Sequence, residues 1–192
     1  MVTSARPTVP LRGWRGHADS VALAVLDEGA AGVLDGTGAG WHDAAAADPA
    51  RAHLLLDDGG PAGPAGYAVL AAPRGPEPGV ELHRLVVAAE RRRTGAGRAL
   101  LHAALAVAGV PGTGDAAPDD AADGAGYGAD DGVPADLAPP WAGTGRLWLE
   151  VAAGNTAARA LYRSAGLVTE SVLRAVPGDP RSAPLRLLLA RG

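Results

Sequence analysis

The stretch Leu85-Val86-Val87-Ala88-Ala89-Glu90-Arg91-Arg92-Arg93-Thr94-Gly95-Ala96-Gly97-Arg98-Ala99-Leu100-Leu101 constrains the fold more than any other part of the chain. Its apolar start reads as a buried strand over Glu81 to Val87. Leu100, Leu101, Ala104, Leu105 and Ala108 then fall at helical spacing and predict a helix over Gly95 to Ala108. The chain must therefore join a strand end to a helix start through a short turn rich in arginine and glycine. A helix start carries unpartnered N–H groups and the positive end of the macrodipole, so it draws anions. Glycine lets backbone approach such an anion closely, and Arg92, Arg93 and Arg98 add charge suited to phosphate. The turn lacks the third glycine of a dinucleotide fingerprint and the lysine of a P-loop. Taken alone, it suits a phosphate site and a tight turn with solvated arginines equally well.

Around this junction the pattern alternates strand and helix. Pro7 to Trp14 predicts an opening strand, Asp19 to about Glu28 a helix with Asp19 as its cap, and Trp41 to Ala47 a second short helix. Ala52 to Leu56 and Tyr67 to Ala72 read as a hairpin across Asp57-Asp58-Gly59-Gly60. Leu147 to Val151 predicts a strand and Asn155 to Ala165 a helix, with Gly166 just past its end. Leu167 to Val176 and Leu185 to Ala190 read as a closing antiparallel pair. The class is mixed α/β. Residues 109–145 stand apart, with nine glycines, five prolines and seven aspartates and no basic residue. That segment is too poor in apolar surface to offset the entropy of ordering, so it is expected to be a disordered acidic insertion.

Composition narrows the function classes. At 192 residues the chain fits one domain, spanning 8–192 with the insertion inside it. Without cysteine there is no disulfide framework, thiolate metal site or cysteine nucleophile. No apolar run is long enough to span a membrane, and the N-terminus lacks a signal pattern, so a cytoplasmic protein is expected. No carboxylate–histidine spacing suggests a metal. Every one of the 17 basic residues is arginine, and lysine, isoleucine, phenylalanine and glutamine are missing, which reads as nucleotide bias. Arginine richness is thus poor evidence for nucleic-acid binding. The formal charge of −4 and the lack of aromatics among Arg91 to Arg93 also argue against it.

Arg92-Arg93-Thr94-Gly95-Ala96-Gly97, with Val87 and Glu90 before it and Arg98-Ala99-Leu100-Leu101 after it, resembles the coenzyme A motif of the GCN5-related N-acetyltransferases, the GNAT family. Ala89 departs from the proline many members carry there. A second match lies past the insertion, in Leu147 to Val151, Asn155, Ala158, Leu161-Tyr162 and Ala165-Gly166-Leu167. Asn155 is the chain's sole asparagine, so it owes little to composition. The resemblance is strong over residues 80–108 and 146–168 and slight over the first 50.

The resemblance implies a single GNAT-type domain, a mixed and mostly antiparallel sheet flanked by helices. Acetyl-CoA would be the acyl donor, an amine the acceptor, and homodimerisation, common in the family, stays open. Backbone amides of Arg92, Arg93, Thr94, Gly95, Ala96, Gly97 and Arg98 would cradle the pyrophosphate, and Leu85, Val86 and Val87 would pair with the pantetheine arm. Asn155 would cap its helix and touch the coenzyme, and Tyr162 would protonate the departing thiolate. An alkyl amine is mostly protonated at neutral pH, so a base is needed. Glu81, six residues before Val87, is the first candidate, acting directly or through water. Strict strand alternation would put His83 on the same face, with Leu85 and Val87, as a second candidate. A strand N–H, Val87 first, would polarise the thioester carbonyl. The alternative is a GNAT-fold module that binds acyl-CoA without catalysis. The regions expected to choose the acceptor, 21–48 and 169–184, show no readable signature.

Overall fold

A computed structural model describes residues 10–30, 34, 36–57, 63–74, 78–111, 133–173 and 186–191. Seven strands form one sheet: β1 (Leu11–Arg12), β2 (Arg51–Leu56), β3 (Gly66–Ala71), β4 (Val80–Val87), β5 (Leu147–Ala152), β6 (Val168–Leu173) and β7 (Arg186–Arg191). Four helices accompany them: α1 (His17–Glu28), α2 (Ala39–Ala47), α3 (Ala96–Ala108) and α4 (Thr156–Ser164). The strand order is β1-β2-β3-β4-β5-β7-β6. Every pairing is antiparallel except β4 with β5. This is the mixed, mostly antiparallel sheet with flanking helices that the resemblance implies.

The sheet buries a core on each face. Leu54, Leu56, Ala68 and Leu70 of the hairpin face Leu100, Leu101, Ala104 and Leu105 of α3 in the larger core. The alternate residues Leu55, Tyr67 and Val69 face Leu23 of α1 and Trp41 of α2 in the smaller one. Period-two alternation sends successive side chains of one strand to opposite layers, and α3 buries the predicted stripe.

Several boundaries differ from the sequence expectation. The first strand shrinks to Leu11–Arg12, residues 1–9 lying outside the described residues. Asp19 is not the cap of α1, because Gly16 holds that place. Asp19 sits in the first turn instead, where Arg12 grips both its oxygens at 2.7 and 2.8 Å and the Arg15 N–H donates at 2.7 Å. Those partners favour the ionised form and hold its carboxyl below the usual range. Asp58, Gly59 and Gly60 of the expected hairpin turn, and residues 174–176 of the expected closing strand, lie outside the described residues.

Of the stretch 109–145, residues 112–132 also lie outside them. Residues 133–145 are packed rather than free, which corrects the expectation for that end. Val133, Leu137, Trp141 and Ala142 lie against the larger core. The Gly143 and Gly145 N–H groups donate to Val107 and Ala108 at 2.8 and 2.7 Å. A low apolar fraction averaged over the segment hid this anchored end. No helix among the described residues is long and apolar enough to cross a membrane.

Candidate active site

β4 and β5 pair in parallel only at Val80↔Leu147 and Glu81↔Trp148 and then part. Beyond Glu81 the β4 edge that faces β5 has no strand partner among the described residues. The Ala88 N–H donates to Ala65 on the β3 side at 3.0 Å. Since successive residues turn their N–H and C=O to opposite edges, those of Leu85 and Val87 face the gap. Val86 turns its backbone to β3, and its side chain is buried in the smaller core. Of the three residues expected along the coenzyme arm, Leu85 and Val87 therefore line the gap and Val86 does not.

A bulge changes the faces of β4. Val69 pairs with Arg84 but Leu70 pairs with Leu82, so His83 is an extra residue with no opposite number on β3. Such an insertion flips the alternation that follows it. Val80 and Leu82 pack into the larger core, and so do Leu85 and Val87 on the other side of the bulge. Glu81 pairs beside Ala71 on the α1/α2 face, and His83 reaches the same face to lie parallel to Trp41, with ring centroids 6.0 Å apart. The expectation that Glu81, His83, Leu85 and Val87 share one face is thus corrected. Glu81 and His83 share one face, and Leu85 and Val87 share the other. The Glu81 carboxylate meets His83 Nδ1 at 2.8 Å, both side chains being partly buried.

The gap opens onto the arginine- and glycine-rich turn. After a single 3-10 turn over Ala89–Arg91, the chain reaches α3 through Arg93 (φ 64) and Gly95 (φ 97), both left-handed. From Arg93 to Arg98 six consecutive N–H groups have no backbone acceptor among the described residues. No side chain caps α3. A concave row of such donors at a helix start fits an anion. A Cβ on Gly97 would stand 3.3 Å from Leu161 Cδ2 and 3.6 Å from Val87 Cγ2, so this glycine lets β4, α3 and α4 converge. Arg92, Arg93 and Arg98 are exposed, with Arg92 Nε donating to the Val87 carbonyl at 3.3 Å. Thr94 Oγ1 ties the turn by donating to the Arg91 carbonyl at 2.7 Å.

Asn155 caps α4, its Oδ1 accepting from the Ala158 N–H at 3.1 Å. Tyr162 lies two turns on, buried in the larger core. Its hydroxyl has no hydrogen bond among the described residues, and burial pushes its pKa up to about 12, so it stays a neutral O–H donor.

Sequence reasoning gave no role to His42 and His53, yet both belong to a buried polar network behind the site. The Asp27 carboxylate of α1 accepts from Tyr67 Oη, from His42 Nε2 at 3.0 Å and from Arg84 at 3.2 Å. His42 Nδ1 meets His53 Nε2 at 3.4 Å, and Arg84 also donates to the Gly36 carbonyl at 2.9 Å. Burial holds both imidazoles below their ordinary pKa, His53 at about 4, so both are neutral. The Arg84 guanidinium stacks on Trp41 at 3.6 Å. The readable signal was Arg84 itself, a charge at an inward position of an apolar strand. Among the described residues no group of His, Asp and Glu is placed to hold a metal ion.

Residues 25–113 match the acetyltransferase (GNAT) family. No curated protein matches the sequence. Solved structures of similar fold include spermidine N-acetyltransferase SpeG from Vibrio cholerae, at 15% identity and a TM-score of 0.64 over 95% of this chain and 92% of that one. A structure described as a GNAT-family acetyltransferase from Desulfovibrio desulfuricans gives 19% and 0.62 over 95% and 97%. The yncA protein of Salmonella typhimurium, with its cofactor acetyl-CoA, gives 19% and 0.59 over 95% and 92%. Over residues 25–113 the chain is similar to the acetyltransferase (GNAT) family, which uses acetyl-CoA, and its fold is that of the solved acetyltransferases.

Proposed function

We propose that the protein moves an acetyl group from acetyl-CoA to a primary amine by direct attack in a ternary complex. The observation that carries this reading is the parting of β4 from β5 above a turn with six N–H groups that have no acceptor among the described residues. One feature offers a strand edge to an amide-bearing arm, and the other offers donors to phosphates. Acetyl-CoA supplies the activated acyl group, as a thioester.

The Arg93 to Arg98 amides bind the diphosphate, with Arg92, Arg93 and Arg98 adding charge around it. Leu85 and Val87 offer N–H and C=O to the arm, and Asn155 adds its side-chain amide from the α4 cap. Of the two strand N–H groups facing the gap, that of Leu85 lies two residues from His83, roughly 6.6 Å along a strand. We assign it the acyl carbonyl in preference to Val87, to stabilise charge that develops on the oxygen. The amine approaches from the α1/α2 face, where the Glu81–His83 pair receives its proton. Tyr162, on the α3/α4 face, donates its hydroxyl proton to the departing sulfur. Acid and base thus act from opposite sides of a gap in the sheet.

Thiol release from acetyl-CoA against a panel of primary amines tests the reading. Amine-dependent release supports transfer. Coenzyme binding without release from any amine identifies the non-catalytic acyl-CoA-binding module instead.

A further inference from the structure

We infer that His83 Nε2 is the atom that takes the acceptor's proton, with Glu81 as a positioning carboxylate and Trp41 as the wall that fixes the ring. The inference rests on the acyl-transfer reading above and deepens it.

A carboxylate only accepts hydrogen bonds, so the ring nitrogen 2.8 Å from Glu81 Oε1, which is Nδ1, carries the hydrogen. In the neutral ring the lone pair then sits on Nε2, which has no hydrogen bond among the described residues. This is the carboxylate–imidazole arrangement that sets a tautomer and supports the imidazolium once formed. The ring is held as well as polarised. It lies parallel to Trp41, with an interplanar angle of 6°. Trp41 is held by Arg84 at 3.6 Å, and Arg84 by Asp27 and the Gly36 carbonyl. The bulge makes this possible, because an unbulged β4 would put His83 and Arg84 on opposite faces.

Position supports the same assignment. His83 follows the last β4–β5 pair, Glu81↔Trp148, and so stands where the gap opens. Its side chain is about one quarter exposed, at 27%. The charged and titratable groups around it are few. Glu81 contacts it, and Arg84 is paired with Asp27. His42 of α2 is neutral, Arg51 of β2 lies over Trp41 at 5.4 Å, and Glu150 shares this sheet face on β5. In the step itself the N–H bond of the acceptor ammonium breaks and an Nε2–H bond forms. The amine keeps the electron pair for attack on the acyl carbon, and the C–S bond breaks as sulfur takes the Tyr162 proton. The second N–H proton restores Tyr162 through solvent, and solvent takes the proton from the imidazolium.

Two measurements on the full chain test this. Long-range nitrogen-15 NMR, assigned by difference from His83→Gln, is expected to show His83 as the Nδ1–H tautomer, and a dominant Nε2–H tautomer overturns the inference. The second is kcat against pH, using acetyl-CoA and the best amine of the panel. His83→Gln is expected to flatten the acidic limb and lower kcat about 100-fold or more, with KM for acetyl-CoA little changed. Glu81→Gln keeps a hydrogen-bonding partner for Nδ1, so it is expected to lower kcat about tenfold and leave the limb in place. The reverse pattern, a limb that survives His83→Gln and vanishes in Glu81→Gln, makes Glu81 the base and overturns the inference while leaving acyl transfer intact. A wild-type chain that releases no thiol with any amine overturns both.

Discussion

Tyr162 and His83 lie on opposite faces of one sheet, Tyr162 in the core that α3 covers and His83 beside Trp41 of α2. In the proposed reaction, that separation lets one group handle the incoming amine and the other the outgoing sulfur. Tyr162→Phe removes a hydroxyl that bonds to no described residue, so the core keeps its packing. We expect CoA affinity within about threefold of wild type and kcat lower by roughly 100-fold or more. Calorimetry and thiol release check the two halves, and unchanged turnover would remove Tyr162 from the chemistry.

Gly95 turns the chain into α3 at φ 97. An L side chain in that region costs about 1–2 kcal/mol. Gly95→Ala is therefore expected to lower stability by about that amount and to weaken acetyl-CoA binding, as the turn's N–H groups swing out of register. Urea unfolding and calorimetry read the two effects.

Asp27 is fully buried and partners Tyr67, His42 and Arg84. Asp27→Asn leaves Arg84 without its counter-charge, which for a buried pair costs about 3–5 kcal/mol. In Asp27→Asn/Arg84→Met both charges are gone, and we expect much of that loss to be recovered in urea unfolding. No recovery would show that the two residues are not coupled.

His53 is 6% exposed, and burial lowers its pKa from 6.5 to about 4. The folded form then binds fewer protons than the unfolded chain between those values. The stability associated with the neutral ring is full above pH 6.5 and falls as pH drops toward 4, by at most about 3 kcal/mol. Tyr162 acts at the other end. Its pKa of about 12 makes the stability tied to its neutral form fall as pH rises above the ordinary tyrosine value of 10.0. Urea midpoints across pH are expected to show both limbs, with the acid one shallower in His53→Asn.

The sequence was most readable where rare residues and strong periodicity coincide. The stripe of α3, the Asn155 cap and Gly166 past α4 follow from local chemistry, which tertiary contacts do not override. The bulge at His83 left only a faint mark, the adjacent polar pair His83-Arg84 that breaks the alternation of Val80 to Val87, and an unbroken strand reads through it. The Asp27 network was equally hidden. Its members come from α1, α2, β2, β3 and β4, and only the fold brings them together. The packed end of the acidic stretch depends on Leu137 and Trp141 finding the core, and composition averages erase that contact.

In the proposed reaction the turn and the open β4 edge together hold acetyl-CoA. Backbone amide chemical shifts of the full chain, titrated with CoA, test it most directly. Saturable shifts are expected, largest for Arg93 through Arg98 and for Leu85 and Val87, with Val86 moving less. No shift at saturating CoA, or shifts confined to another surface, would contradict it.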